Sequence, residues 1–202
     1  MTQKDIKSFL DAFATKRERT MVIVDYRNVE KWKNSLGWIV DIEKLALLVK
    51  HFSYGRRANR RFYYGSDFGP NEKSITLTDW SRRLLEKAAW SKFDVQTKRV
   101  KYMKDSDAQQ GYEKKCDLDV EMTVDLIKER DAYDHIVLFS GDGDLMYAVR
   151  YLKEVYGKSC VVFGARDHIG REVIDALKMG CLDSVLYAQD FEYRLRKGWQ
   201  SR

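Results

Sequence analysis

Apolar and polar positions along the chain change period several times, and each change marks an element. Ile6, Phe9, Leu10 and Phe13 fall at helical spacing and predict a short helix over residues 4–15. Residues 21–26 (MVIVDY) form a continuous apolar run closed by a carboxylate, the pattern of a strand buried on both faces of a parallel sheet. Residues 42–52 read as an amphipathic helix, and residues 61–64 (RFYY) as a strand closed by Gly65-Ser66-Asp67. One long helix is predicted over 73–91, with Leu77, Trp80, Leu84, Leu85 and Ala88 inward, then a strand over 93–102 and a polar loop over 105–112. The rhythm then repeats: helix 117–128, strand 135–139, helix 143–156, strand 159–163, helix 169–179 and a last short strand at 184–187.

Strands alternating with helices predict an α/β fold, a central parallel sheet covered by helices on both faces in three layers. Neither a repeat nor a Pro/Gly-rich linker divides the chain. It reads as one domain over 20–187, with a helical extension at 1–19 and a charged tail at 188–202. With 202 residues, 44% of them hydrophobic, there is material for a real core, and a single proline excludes collagen-like and polyproline chains. The longest apolar run, residues 45–49, is far short of the ~18 residues that a membrane span needs. The charged first twenty residues hold no signal-peptide core. Cys116, Cys160 and Cys181 are widely spaced, and only three histidines accompany them, which argues against structural zinc. The expectation is a reduced, cytoplasmic protein with no membrane partner.

Charge adds a polarity that its sum conceals. Residues 50–104 hold fourteen Lys and Arg against five Asp and Glu, in a chain whose formal net charge is only +6. The remainder is therefore net acidic, an arrangement that suits a phosphate-binding surface feeding a carboxylate site.

In an open parallel sheet, chemistry gathers at the carboxyl ends of the strands, near the point where strand order reverses. Two buried strands end in acid there: the first at Asp25, with Asn28 following, and the second at Ser140-Gly141-Asp142-Gly143-Asp144. Between them, Asp117, Glu121 and Asp125 stand at i, i+4 and i+8, one face of a helix, which places Asp119 off that face. Each acid alone is as well explained as a helix cap. As a set they suit Mg²⁺ or Mn²⁺, which take carboxylate oxygens and water and support in-line attack on a phosphodiester. Other readings of the same residues fare worse. A dinucleotide fingerprint starting at Gly141 meets Met146 where a third small residue belongs, and no Gly-x4-Gly-Lys-Ser/Thr loop exists. A haloacid dehalogenase phosphatase needs a second aspartate where Arg27 stands. A Toprim-like DNA enzyme stays open, because Asp142 and Asp144 supply its Asp-x-Asp although Asp25-Tyr26 replaces its Glu-Gly.

Taken in order, these segments resemble the NYN domains, the LabA-like branch of the PIN-like nucleases. The resemblance rests on Asp25-Tyr26-Arg27-Asn28, on Lys115-Cys116-Asp117-Leu118-Asp119 with Asp125 beyond, and on Ser140-Gly141-Asp142-Gly143-Asp144-Leu145. Gly157-Lys158 and the strand after it complete the match, which spans about residues 20–187. It implies a Rossmann-like sheet of order 3-2-1-4-5 and metal-dependent cleavage of single-stranded RNA, leaving a 5′-phosphate and a 3′-hydroxyl. By position it makes Asp25, Asp117, Asp142 and Asp144 the metal ligands and catalytic acids, and Asn28 a supporting or substrate contact; Glu121 and Asp125, on the helical face read for Asp117, are further candidates. Tyr26, Arg27, Cys116 and Leu145 depart from the family pattern without removing a carboxylate. A non-catalytic RNA-binding or protein-interaction module with the same fold is the alternative.

Around the acids, Arg56, Arg57, Arg60 and Arg61 flank one strand and Lys98, Arg99, Lys101 and Lys104 the next, a phosphate track leading to the site. Arg27, Lys115 and Ser140 join Arg60, Arg61, Lys98 and Lys101 as expected substrate contacts. Tyr63, Tyr64 and Tyr102 are offered either as base-stacking rings or as sheet packing. Trp32 and Trp38, in the segment after Asp25, are expected to line a substrate groove or a homodimer contact.

Overall fold

The apolar runs that open β1 (Thr20–Asp25) and fill β6 (His135–Phe139) lie side by side at the centre of a six-stranded parallel sheet. The computed structural model describes residues 2–16, 19–53, 60–69, 73–104 and 111–198. Arg56 and Arg57 fall outside these residues, as does most of the expected loop over 105–112. β2 (Arg60–Ser66) and β3 (Asp94–Arg99) extend the sheet on one side, β7 (Ser159–Gly164) and β8 (Ser184–Tyr187) on the other, in the order β3-β2-β1-β6-β7-β8. Counted among the sheet strands this is 3-2-1-4-5 with a sixth strand added outside the fifth. The order reverses between β1 and β6, so the crevice that such a reversal opens lies directly above Asp25.

Alternation along β1 divides the interior. Val22 and Val24 point into one core, Met21 and Ile23 into the other, as the two-residue period of a strand requires. The first core is covered by α1 (Gln3–Lys16), α4 (Ile42–Phe52) and α5 (Asp79–Trp90), through Ile6, Leu10, Leu45, Phe52, Leu84 and Ala88. The second is covered by α6 (Asp119–Lys128), α7 (Met146–Tyr156) and α8 (Arg171–Lys178), through Leu118, Met122, Leu126, Val149, Leu152 and Val173. Two short helices, α2 (Tyr26–Lys31) and α3 (Lys33–Leu36), follow β1 directly. Among the described residues, no helix is long and apolar enough to cross a membrane.

Several expectations change. The helix expected over 73–91 begins only at Asp79, where the Thr78 hydroxyl caps it by accepting from the Ser81 N–H at 3.3 Å. Trp80, expected inward, is exposed. The strand expected over 93–102 breaks at buried Val100, because β2 ends at Ser66, opposite Arg99, and offers nothing further to pair with. The chain turns out into β4 (Lys101–Lys104), which pairs antiparallel with β5 (Tyr112–Lys115), a strand the sequence pattern did not announce.

The ends are not appendages. Ile6, Leu10 and Phe13 of α1 are buried in the first core. The expected charged tail instead makes a 3₁₀ turn over Ala188–Phe191 and a helix, α9 (Glu192–Leu195), with Phe191 and Leu195 fully buried. A backbone bridge from Arg196 to Val40 ties it down. Trp32 likewise leaves no groove-lining ring: it is fully buried, while Trp38 is partly buried against the same core. Replacing Phe191 with Ala should therefore lower the unfolding free energy by about 3–5 kcal/mol in a urea titration, as for a core aromatic. A solvated tail would give a change within about 0.5 kcal/mol.

Candidate active site at the carboxyl edge of the sheet

Asp25 is the last residue of β1 and the N-cap of α2, whose Asn28 N–H donates to Asp25 Oδ1 at 3.2 Å. Its other oxygen accepts from the hydroxyl of Ser140, buried at the end of β6, at 3.0 Å. Ser140 Oγ in turn accepts from the Asp142 N–H at 3.1 Å, and Asp142 Oδ1 from the Asp144 N–H at 3.2 Å. Asn28 closes the arrangement: its Oδ1 accepts from Gly141 N–H at 3.0 Å and from Trp32 Nε1 at 2.8 Å. Gly141 is required by contact. A Cβ there would stand 1.6 Å from the carbonyl oxygen of His168, in the turn after β7 whose Gly170 N–H bonds the Gly141 carbonyl at 2.7 Å.

The helix between the strands sets the next acid, and here the expectation is corrected. α6 starts at Asp119, so Asp117 precedes the helix and does not share a face with Glu121 and Asp125. The stripe that faces the sheet is Leu118, Met122 and Leu126. Packing that stripe turns Asp119, its neighbour in the first turn, into the crevice. Asp117 Oδ1 accepts the Asp119 N–H at 3.0 Å, at the exposed rim. One carboxylate oxygen each from Asp119, Asp142 and Asp144 lie within 4.8 Å of one another. Glu121 pairs with Lys98 at 2.7 Å, and Asp125 accepts from the buried Tyr63 hydroxyl at 2.6 Å and lies beside Arg61. Neither lines the pocket.

That pocket, of about 350 Å³, is lined by Asp25, Asp117, Asp119, Asp142 and Asp144, with Arg27, Asn28, Lys31, Lys114 and Lys115 also in its wall. Arg27 is held by a 2.9 Å bond from Nη2 to the Lys114 carbonyl, and Lys114 by a 2.6 Å pair with Asp67. α2 and β5 together therefore carry the basic side of the pocket. Lys98 donates to the Asp117 carbonyl at 3.2 Å on its flank, and Lys101 is exposed on the hairpin.

Arg60 and Arg61 belong elsewhere. They open β2, paired in register with Val22 and Ile23, whereas Asp25 pairs with Tyr63. At ~3.3 Å per residue they sit toward the amino edge, away from the acids. Arg60 donates to Ser53 Oγ at 2.8 Å, and Arg61 is enclosed by Asp94, Asp125 and Glu129. They are structural cations and form no part of a track into the pocket. Tyr63, Tyr64 and Tyr102 are buried and serve packing. Lys31, Lys114 and Asp119 were missed as site residues. The Leu118-Met122-Leu126 stripe was the signal that points to Asp119.

Concentrated acid perturbs itself. Burial pushes the Asp119 carboxyl up to about 8, helped by its contact with Asp117 and repulsion from Asp142 and Asp25. Asp117, the exposed partner, is lowered by its hydrogen bonds with Asp119. Burial also raises Asp25, against the opposing bonds from Asn28 and Ser140. A donor set of hard carboxylate oxygens, crowded enough to retain a proton, fits a divalent cation of the Mg²⁺ or Mn²⁺ kind.

The NYN domain model matches residues 19–182, from the start of β1 to just short of β8. The chain belongs to the NYN domain family. It is 38% identical over 140 residues to the low amplitude and bright protein LabA of Synechococcus elongatus, covering 69% of this chain and 70% of that protein. Its fold is similar to that of a crystallised protein of unknown function from Vibrio parahaemolyticus, with a TM-score of 0.65 and 21% identity over 90% of this chain and 97% of the other. The NYN assignment carries a PIN-like nuclease fold and displaces the Toprim-like alternative.

The raised Asp119 group gives a signed prediction. Its contribution to stability is fully present below the unfolded carboxylate value of about 3.9 and is lost as pH rises towards about 8. In metal-free buffer, Asp119→Asn should raise the melting temperature more at pH 8 than at pH 5. Equal shifts at the two pH values would show that Asp119 is not the strained acid.

Proposed function

We propose that this NYN domain is a metal-dependent ribonuclease that hydrolyses single-stranded RNA at the pocket above β1 and β6, acting in the cytoplasm. The observation that carries the reading is the convergence of Asp119, Asp142 and Asp144 beside a wall of lysine and arginine. Asp119 takes the ligand position first expected of Asp117, and Asp25 supplies the fourth carboxylate. Bound there, Mg²⁺ or Mn²⁺ supplies positive charge at the scissile phosphate and acidifies the attacking water.

The chain's own groups do the rest. Ser140 and the Asn28 N–H hold the Asp25 carboxylate in one orientation, so it faces the pocket without reorganisation when substrate arrives. Arg27, Lys31 and Lys115 receive the phosphates, and arginine's planar fork matches two phosphate oxygens at once. Lys98 neutralises Glu121 on the flank, which limits the negative field that the RNA backbone meets. In-line attack by water would leave a 5′-phosphate and a 3′-hydroxyl, as the family resemblance implies.

The test is cleavage of a labelled single-stranded RNA with Mn²⁺ or Mg²⁺, compared with EDTA. Asp119→Asn and Asp142→Asn should each lower the rate by about 10²–10³-fold, the order of one preorganised electrostatic group. Activity that survives EDTA or either substitution overturns the mechanism, and a clean protein that binds RNA without cutting it favours the binding-module alternative. A second measurement separates the cations. The salt dependence of RNA binding should flatten by about 0.7 log units per decade of salt for each lost phosphate contact in Lys31→Ala and Lys115→Ala. Arg61→Ala should destabilise the fold and leave that slope unchanged.

A further inference from the structure

A second concavity adjoins the acidic pocket and shares Asp144 with it. It lies between α7 and α8, has a volume of about 400 Å³, and includes Tyr147, Arg150, Glu172 and Met179 in its lining. Tyr147 is 74% exposed and Met179 72% exposed, so two large apolar side chains stand in solvent on opposite helices of one cleft. Tyr147 follows Asp144 by three residues, about one helical turn. The Arg150 guanidinium lies 5.4 Å from the centre of its ring. The chemistry described so far uses none of these groups.

We propose that this cleft is a nucleobase subsite that selects guanine next to the scissile phosphate, a proposal that rests on the ribonuclease reading of the adjoining site. Asp144, Glu172 and Asp175 line the cleft beside a single lining cation, Arg150, so the lining is net acidic and favours a neutral base over a phosphate. An exposed tyrosine with a guanidinium over it offers the flat, polarisable surfaces on which unstacked RNA bases rest. Continuity with the acidic centre fixes the occupant as part of the same strand, because a base bound here adjoins a phosphate bound there.

The identity of the base follows from hydrogen-bonding complementarity. A carboxylate only accepts. Asp175 is shared with Arg171 and Lys178, each at 3.7 Å, whereas among the described residues Glu172 forms no ion pair. The Glu172 carboxylate lies against Gly143, the residue between Asp142 and Asp144, where a Cβ would come within 2.5 Å of its Oε2. Guanine presents N1–H and N2–H side by side, two donors matched to two carboxylate oxygens. Adenine and cytosine offer one amino donor beside an acceptor, and uracil flanks its single N–H with two carbonyls. The order of preference should be guanine first and uracil last.

The test is fluorescence anisotropy of the full chain, in Ca²⁺, with labelled single-stranded hexamers: oligo-U, the same strand with one guanosine, and the same with inosine there. Cleavage of the three strands in Mn²⁺ is followed in parallel. The guanosine strand should bind about 10-fold more tightly than oligo-U, and inosine, which lacks the N2 amino group, should lose most of that gain. Tyr147→Ala should weaken binding of the guanosine strand by about 10-fold, and Tyr147→Phe should preserve it. Glu172→Gln should erase the distinction between guanosine and inosine. Both sites are at the surface, and unchanged melting temperatures would confirm that the variants fold. Equal affinity for the three strands, or an unaffected Tyr147→Ala, overturns the subsite. If cleavage proceeds without base preference, the subsite falls and the ribonuclease reading stands. If guanosine is preferred in binding but no strand is cut, the subsite stands as a recognition site and the ribonuclease reading falls. A protein that binds none of the strands overturns both.

Discussion

The placement of the acids depends on one half-buried amide. Asn28 Oδ1 accepts from Gly141 N–H and from Trp32 Nε1, joining the segment after β1 to the segment after β6. Those segments leave adjacent parallel strands at the point where strand order reverses, and without a tie nothing local would hold their side chains together. The Ser140 hydroxyl makes the second tie, to Asp25. Polar groups enclosed in this way are costly to leave unsatisfied, so the network admits one arrangement and returns to it. The burial of Trp32 is part of the same constraint, since its indole N–H completes the valence of Asn28.

The arrangement holds charge against its own preference. Five aspartates line one pocket, and the strain shows in Asp119, which retains a proton far above the usual carboxylate range. Elsewhere the fold neutralises acids directly. Arg61 is surrounded by three of them at the amino edge, and Lys98 pairs with Glu121 on the flank. Acids paired in this way stabilise the scaffold or spend no stability on function. Those left facing one another mark the place where a cation is expected. The two edges of one sheet thus divide the cations between those enclosed in ion pairs and those lining the acidic pocket, a division invisible in a count of basic residues.

The acidic pocket and the cleft between α7 and α8 meet at Asp144, so the residue proposed to hold the metal also borders the surface proposed to read the base. The proposed phosphate contacts are the cations of α2 and β5 that line the acidic pocket. The proposed chemistry, backbone contact and base contact thereby fall to different elements around one strand reversal. That is how an open α/β sheet accommodates an extended substrate.

Much of this was legible in the chain. Buried strands need unbroken apolar runs, so β1 and β6 and the acids that end them follow from local pattern, as do α4, β8 and the parallel sheet. The NYN motifs carried Asp25, Asn28, Ser140, Asp142 and Asp144 to the same edge. What local pattern could not decide was rotation and partnership. Asp117 and Asp119 are both acids at the start of one helix, and only the packing of Leu118, Met122 and Leu126 against the sheet turned Asp119 inward. Arg60 and Arg61 look like a basic cluster in sequence, and only parallel register placed them at the wrong edge. The β4–β5 pair required β2 to end at Ser66, opposite Arg99, so that the chain beyond Val100 had to find another partner. Phe191 and Leu195 sit among charged residues, and they became core only because α4 and β7 left an apolar surface for them to cover. Sequence determines each element from its neighbours along the chain, whereas which face turns inward is settled by contacts between elements far apart in it.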